Sequence, residues 1–294
     1  MNDLYLDKTT QDLEDFSSLV DRFNYYIDLS LDEERLLRNL EKGTLHFKAR
    51  VKLHLQDLDS SLYVVKSGWI YQYADLHNGQ RKVLKIYLPG DIVGLDDLVL
   101  EASLNDTMTA SEVIIAPFKK ENLEDLFSSS PRLSSLIFSL SMLDKAILMD
   151  RLKMSGRASA LVMVANFMLE LHSRLKLHIK DGHFDTFKVP LTQSVIADTL
   201  GLTNVTVSNA FSQLDQDGKI TWFKRNVTIH DPEQLKIALG FNDRHFQIDT
   251  SWFPFGHANL YKEPQITTER YEQPCNVSLI SELTAVEIPL ASSG

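Results

Sequence analysis

A chain of 294 residues with 30 basic and 40 acidic side chains has room for two domains and carries a net charge of −10. That balance excludes a uniformly basic nucleic-acid coat, and a single cysteine, Cys275, excludes an internal disulfide and a cysteine-ligated iron–sulfur cluster. The N-terminus MNDLYLDKTT has no signal-peptide pattern and the longest apolar run, around 158–169, is far short of a membrane span, so a cytoplasmic protein with no membrane partner is expected.

Residues 15–42 repeat apolar side chains at helical spacing (Phe16, Leu19, Val20, Phe23, then Leu36, Leu37, Leu40) and predict one or two short helices. From Gly43 to Phe118 the texture changes to short strand-like runs, SLYVVKS, WIYQYADL, KVLKIYLP and SEVIIAPF. These are punctuated by Gly68, Asn78-Gly79, Pro89-Gly90 and Gly94. Asn-Gly between alternating segments is a hairpin signal, and the spacing predicts a small antiparallel roll. Residues 131–154 then form a long helix. Leu133, Leu136, Leu140, Leu143, Ile147 and Met154 nearly follow a 3-4 alternation, interrupted by Asp150. Such a stripe is the seam of a two-stranded coiled coil and predicts a homodimer; the alternative is a helix packed on its own domain. A second apolar helix runs over 158–175, and Asp181-Gly182 marks a turn after it.

Residues 190–220, PLTQSVIADTLGLTNVTVSNAFSQLDQDGKI, fit a helix-turn-helix counted from Gln193. Ala197 is fifth, where crossing helices need a small side chain. Gly201 is ninth, where the turn needs a positive φ. Val207 is fifteenth, where the second helix must bury an apolar residue. Thr192 and Thr203 stand where N-caps belong. KITWFKRNVTIH follows as two strands around Lys224-Arg225-Asn226, a winged hairpin. Charge agrees with a DNA-binding part joined to a separate body: residues 1–130 hold 14 basic and 23 acidic side chains, residues 151–240 hold 11 and 8.

Roll, long helix, then winged helix-turn-helix resembles the cyclic-AMP receptor/FNR (Crp/Fnr) family of bacterial transcription regulators over roughly residues 15–240. The specific elements are Ser67-Gly68-Trp69, the LPGDIVGL run at 88–95 and PLTQSVIADTLGLT at 190–203; the last two are similar to an alphaproteobacterial branch. The resemblance implies an α+β fold. An N-terminal β-roll of cyclic-nucleotide-binding type (1–130) would precede a dimerisation helix (131–155) and a winged helix-turn-helix (156–241). An extension (242–294) would follow, for which disorder is the default. Within it Trp252, Phe253, Phe255 and Tyr261 are costly to leave in water, so 246–262 is also a candidate to dock on the body or a partner.

Two departures from the family pattern bear on function. Relatives that bind cyclic nucleotides carry Gly-Glu-Leu after the Pro-Gly-Asp turn and a phosphate-clamping arginine downstream. Here the run is Gly94-Leu95-Asp96-Asp97-Leu98, and 103–109 has no cation. The corresponding effector pocket, Gly94, Leu95, Asp96, Asp97, Thr107 and Thr109, is therefore expected to be degenerate, with Asp96, Asp97 and Asp106 repelling a phosphate. His46, His54 and His77 form no haem-ligating set, and no cofactor or metal is expected. In the reading helix, the branch's arginine is replaced by Asn209, and no Lys or Arg lies between Leu191 and Gly218.

The expected DNA-contacting set is Thr192, Gln193, Thr203, Asn204, Val205, Thr206, Ser208, Asn209, Ser212, Gln213, Lys224 and Arg225. Asn209 would pair with adenine, Val205 would touch a thymine methyl, and the wing would hold phosphate. The expected function is a homodimeric, sequence-specific regulator acting on double-stranded DNA at an inverted repeat, not controlled by cyclic AMP, with RNA polymerase as a further partner to consider. The alternative is a non-DNA-binding adaptor or heterodimerising regulator. No nucleophile–base set, metal-ligand spacing or phosphate loop supports an enzyme.

Overall fold

The computed structural model describes residues 17–53, 62–100, 105–177 and 184–254. Two helices open it, α1 (Ser18–Tyr26) and α2 (Leu31–Leu40). The Ser17 and Ser30 hydroxyls accept first-turn amides, and at α2 the Glu33 carboxylate accepts the Ser30 amide in return, closing a capping box.

Among the described residues eight strands follow: β1 (Leu45–Phe47), β2 (Lys52–Leu53), β3 (Leu62–Ser67), β4 (Ile70–Asp75), β5 (Arg81–Tyr87), β6 (Ile92–Val93), β7 (Asp106–Thr109) and β8 (Val113–Phe118). They form two antiparallel sheets of order β1-β8-β3-β6 and β2-β7-β4-β5. Leu53, Tyr63, Val65, Ile70, Tyr87, Val113 and Ile115 from both sheets share one interior. The four runs visible in the sequence are β3, β4, β5 and β8; the other strands, of two to four residues, are too short to leave a period. At Gly68, a Cβ would lie 2.0 Å from the Glu112 carbonyl oxygen, and φ is +77°, so the Ser-Gly-Trp turn tolerates no side chain there.

A helix the sequence did not reveal, α3 (Glu121–Ser129), leads into α4 (Pro131–Met154), which starts on the Ser130 cap with Pro131 in its first turn. The orientation of α4 departs from expectation. Leu133 and Leu136 are 0 % exposed and Leu140 and Leu143 8 %, all packed with Leu19, Phe23, Leu37 and Leu40 of the chain's own α1 and α2. Ile147 is partly buried on the same cluster. The stripe expected to pair two chains thus lines the core that α1, α2 and the roll share. Another stripe is open: Phe138 (56 % exposed), Met142 (43 %), Met149 (44 %) and Leu152 (56 %), with exposed Lys145 between them. Their spacing, 4-3-4-3, is that of a coiled-coil seam.

After Ser155–Ser159 come α5 (Ala160–Lys176), β9 (Thr186–Lys188), α6 (Gln193–Leu200), α7 (Asn204–Gln216), β10 (Ile220–Phe223), β11 (Asn226–Ile229) and α8 (Pro232–Leu239). β9 completes a three-stranded sheet of order β10-β11-β9. This domain docks on the roll. Tyr71, Val83, Ile86 and Leu88 from β4, β5 and the adjoining turn share one buried cluster with Val164, Phe167, Met168, Ile196 and Ala197. Within the C-terminal extension, Phe253 is buried in the cluster of α1, α2 and α4 whereas Trp252 is exposed. Phe255, Tyr261, Cys275, His54 and the Asp181-Gly182 turn lie outside the described residues. Among the described residues no helix is long and apolar enough to cross a membrane.

Candidate DNA interface

The helix-turn-helix is built by the residues its spacing singles out. Thr192 caps α6, its hydroxyl accepting the Val195 amide at 3.2 Å, and Thr203 caps α7, accepting the Thr206 amide at 3.1 Å. Gly201 ends α6 in the left-handed region at φ +70°, and its neighbour Leu202 donates its amide to the Ala197 carbonyl. Ala197 and Val207 are buried between the helices. Phe211 meets Trp222 of β10 edge-on at 4.5 Å, tying α7 to the wing.

One face of α7 remains open. Val205 is 68 % exposed, Asn204, Asn209, Ser212 and Gln213 are exposed, and Thr206 and Ser208 are half-buried. These positions differ in what they have left to offer. The Ser212 hydroxyl donates to the Ser208 carbonyl at 3.0 Å, the Gln213 amide donates to Asp217 at 2.8 Å, and Thr206 and Thr203 share a hydroxyl bond at 2.8 Å. Asn209 makes no side-chain hydrogen bond to the described residues, so its donor and acceptor both point to solvent unspent. Gln193 sits half-buried in the first turn of α6 beside the Thr192 cap.

The wing turn is the tightest available. Phe223 pairs with Asn226, leaving Lys224 and Arg225 as a two-residue loop at φ +49° and +67°. That is the conformation of a type I′ turn, which Asn-Gly adopts readily and long side chains do not. Both side chains are exposed, and the Lys224 ammonium lies 5.2 Å from the Phe223 ring centre. Two positively charged residues thus hold a strained turn at the tip of the hairpin that Trp222 ties to α7.

The second sequence-predicted site is also changed by the structure. A cavity of about 30 Å³ lies where α1, the Pro-Gly-Asp turn, β5 and α4 meet, lined among others by Arg22, Lys85, Asp91, Leu95, Asp96 and Asp144. That is roughly the volume of one water. Contrary to the expectation of a site without cations, Lys85 enters it. Its ammonium bonds Asp144 at 2.7 Å and Asp96 at 3.2 Å. Burial would pull the Lys85 pKa down, but Asp144 and Asp96 offset this and hold it above the ordinary lysine value. Thr107 and Thr109 turn elsewhere: their hydroxyls donate to the Leu53 and Lys48 carbonyls at 3.0 and 2.8 Å, inside the roll. Asp106 pairs with Lys52 on the rim at 2.7 Å. Gly94 and Asp97 lie in the loop on either side of the lining residues Leu95 and Asp96, outside the cavity wall.

Beside this cavity, Asp91 is held by two arginines. Arg22 of α1 bonds one carboxylate oxygen; Arg174 of α5 bonds the other at 2.5 Å and also donates to the Ile86 carbonyl at 2.8 Å. Burial would raise the Asp91 pKa, yet the two guanidinium groups and the Leu88 amide together hold it at about 2. A lysine makes a second junction: the Lys82 ammonium of β5 bonds the Thr199 carbonyl at the end of α6 at 2.8 Å. The sequence held no local sign of Arg22, Lys82, Lys85, Asp144 or Arg174, because the contacts that join them across elements, Asp96 beside Lys85 apart, are 59 to 117 residues away.

Two family models match the chain, a cyclic nucleotide-binding domain over residues 37–130 and a Crp-like helix-turn-helix domain over residues 164–237. The nitrogen fixation regulation protein FixK of Bradyrhizobium diazoefficiens is 31% identical over 182 residues, spanning 62% of this chain and 75% of that protein. FixK of Rhizobium meliloti is 28% identical over 184 residues, 61% of this chain and 79% of that one. Among solved structures, FixK2 from Bradyrhizobium japonicum superposes with a TM-score of 0.55 at 21% identity, covering 66% of this chain and 94% of that one, a likeness of fold.

Proposed function

The chain belongs to the Crp/Fnr family of transcription regulators, whose members bind DNA through the helix-turn-helix and act as dimers, and from that premise we propose how its own residues do so. Two copies pair through the open α4 stripe of Phe138, Met142, Met149 and Leu152, and each inserts α7 into a major groove of an inverted repeat whose half-sites lie about one helical turn apart. Asn209 reads adenine through its amide, Val205 packs on a thymine methyl, and Asn204, Thr206 and Ser208 line the rest of the face. Phosphates are held by the amides at the Thr192 and Thr203 caps and by Lys224 and Arg225. With no arginine on α7, the operator leans to A·T pairs.

The observation that carries this reading is the unspent Asn209 amide on an exposed helix face beside a wing whose two cations sit in strained backbone. The pocket of the roll serves structure, not cyclic-nucleotide sensing: its cations are consumed by Asp91, Asp96 and Asp144, and its volume admits about one water. Selecting bound sequences from random duplex DNA with the purified full chain tests the reading. An A·T-rich inverted repeat is expected, with Asn209→Ala losing about 1–3 kcal/mol of discrimination and little non-specific affinity.

A second reading has its own support in the absence of basic residues from α7: an adaptor that uses the same open face on a protein. A selection that returns no sequence preference at any salt concentration favours the adaptor.

A further inference from the structure

The DNA-binding domain is joined to the sensor by a short covalent link. Between the end of α4 at Met154 and the cap of α5 at Ser159 the chain turns at Gly156, φ +76°, where no described residue stands within 4 Å of a would-be Cβ. Such a link allows the two bodies to swing. The docked arrangement therefore needs other attachments, and residues past α8 supply a set that the helix-turn-helix model, ending at residue 237, does not contain.

Consecutive residues there engage different bodies. The Asp243 carboxylate accepts the Ser173 hydroxyl of α5 and pairs with Lys236 of α8 at 2.9 Å, which anchors the segment to the DNA-binding domain. Arg244 next grips Asp150 of α4 side-on, its Nε and Nη2 donating to the two carboxylate oxygens, the latter at 3.0 Å. His245 is buried against the Asp91–Arg174 junction, and Phe246 meets Tyr25 of α1 edge-on at 5.6 Å. Phe253 finally inserts into the sensor core. The segment thus leaves the DNA-binding domain, crosses the long helix and ends in the sensor. Asp150, which breaks the apolar rhythm of α4, pairs here with Arg244 as well as with Lys153 of its own helix at 3.0 Å.

We propose that residues 241–254 are an interdomain strap that closes a second connection across the Ser155–Ser159 link and holds the DNA-binding domain against the roll. A body attached at two points cannot rotate about the first. The strap therefore fixes the position of each reading helix before DNA arrives, so less ordering cost is left for binding. The consequence for DNA rests on the function proposed above; the docking claim does not.

The test uses the full chain and keeps these apart. Hydrogen exchange without DNA is followed in α6 and in residues 82–88, which face each other, with β3 and β8 as internal references. Arg244→Asp and Asp150→Arg, each alone, are expected to speed exchange at the α6–β5 contact about tenfold and leave β3 and β8 unchanged. The double variant, with the pair reversed, is expected to recover most of the protection. Phe253→Ala repeats the test at the far end of the strap. Unchanged exchange at α6 in all single variants overturns the proposal, as does loss of protection spread evenly through β3 and β8 with no recovery in the reversed pair. In a parallel gel shift, the loosened variants are expected to bind the selected operator about tenfold more weakly. Tighter binding overturns the claim that the strap holds the DNA-ready arrangement.

Discussion

The wing turn sets folding against binding in a way that can be measured. Lys224 and Arg225 occupy φ +49° and +67°, where an L-residue with a Cβ costs roughly 1–2 kcal/mol relative to the right-handed region. The double variant Lys224→Asn/Arg225→Gly places the preferred type I′ pair on the same backbone. Asparagine relieves part of the strain at the first position. Glycine relieves all of it at the second and returns about 0.5–1 kcal/mol through the greater freedom of the unfolded chain. The net gain is about 1 kcal/mol, or about 2–4 °C in Tm for a cooperative unit of this size. The DNA-binding cost is separate. Removing two cations per chain removes four per dimer, and at about 0.9 ions per phosphate contact the slope of log K against log salt should fall by about 3–4. Calorimetry and a salt titration of operator binding read the two effects. A variant that is less stable than the parent shows that the turn is not strained. A variant that is more stable but keeps the parent's salt slope shows that the wing does not touch phosphate.

Met142→Glu and Phe138→Glu should yield monomers by light scattering with the sensor still folded. Leu140→Glu, on the opposite face of α4, should instead unfold the sensor, since a buried unpaired charge costs several kcal/mol. Cyclic AMP and cyclic GMP should give no binding heat at millimolar concentration, and micromolar binding of either would contradict the reading of so small a cavity. His245 predicts an acid-sensitive strap. Burial first, and Arg174 next, hold its pKa at about 3, below the ordinary value of 6.5, and neither ring nitrogen has a hydrogen-bond partner among the described residues. A folded-state pKa lowered in this way favours the fold above pH 6.5 and withdraws that support as pH falls toward 3, by about 1.4 kcal/mol per pH unit at most. Glu170, Arg22 and Asp91 also face the ring, but Asp91 titrates only near 2. His245→Leu should flatten the stability profile between pH 6 and 4; an unchanged profile assigns the acid response to the carboxylates.

The helix-turn-helix was legible because its constraints are local: Ala197, Gly201 and Val207 lie within eleven residues, and each is dictated by a neighbouring turn of chain. The roll was legible through its longer strands and the Asn78-Gly79 turn. The face of α4 was not. The cleanest stripe in a helix marks the side most completely buried, and in this chain that side is the sensor core. The open stripe hid behind Lys145 at its centre and mixed Phe, Met and Leu. The cavity was misjudged for a different reason. A linear window around Gly94 sees Asp96 and Asp97 but not Lys85, which arrives from the neighbouring strand, or Asp144, which arrives from α4. The tail's docking was foreseeable only as an aromatic cost, because Arg244 and Asp150 are 94 residues apart.

Buried and half-buried ion pairs concentrate where one body meets another: Asp91 between α1 and α5, Lys85 between β5 and α4, Arg151–Glu170 at 2.5 Å between α4 and α5, and Arg244–Asp150 between α4 and the strap. Apolar contacts at the same junctions supply adhesion but little direction, since a greasy face tolerates sliding. Charge pairs add modest net energy, because desolvation offsets most of the attraction, but a misaligned arrangement leaves a charge unpaired at a cost of several kcal/mol. Their yield is therefore a unique orientation. A nucleotide phosphate entering the cavity would have to take Lys85 from Asp96 and Asp144 or Arg22 and Arg174 from Asp91. Each theft would leave a carboxylate buried without its partner and loosen a junction. The cations at and beside the cavity are thus the groups that pair across these junctions, and an anion entering there is expected to weaken them.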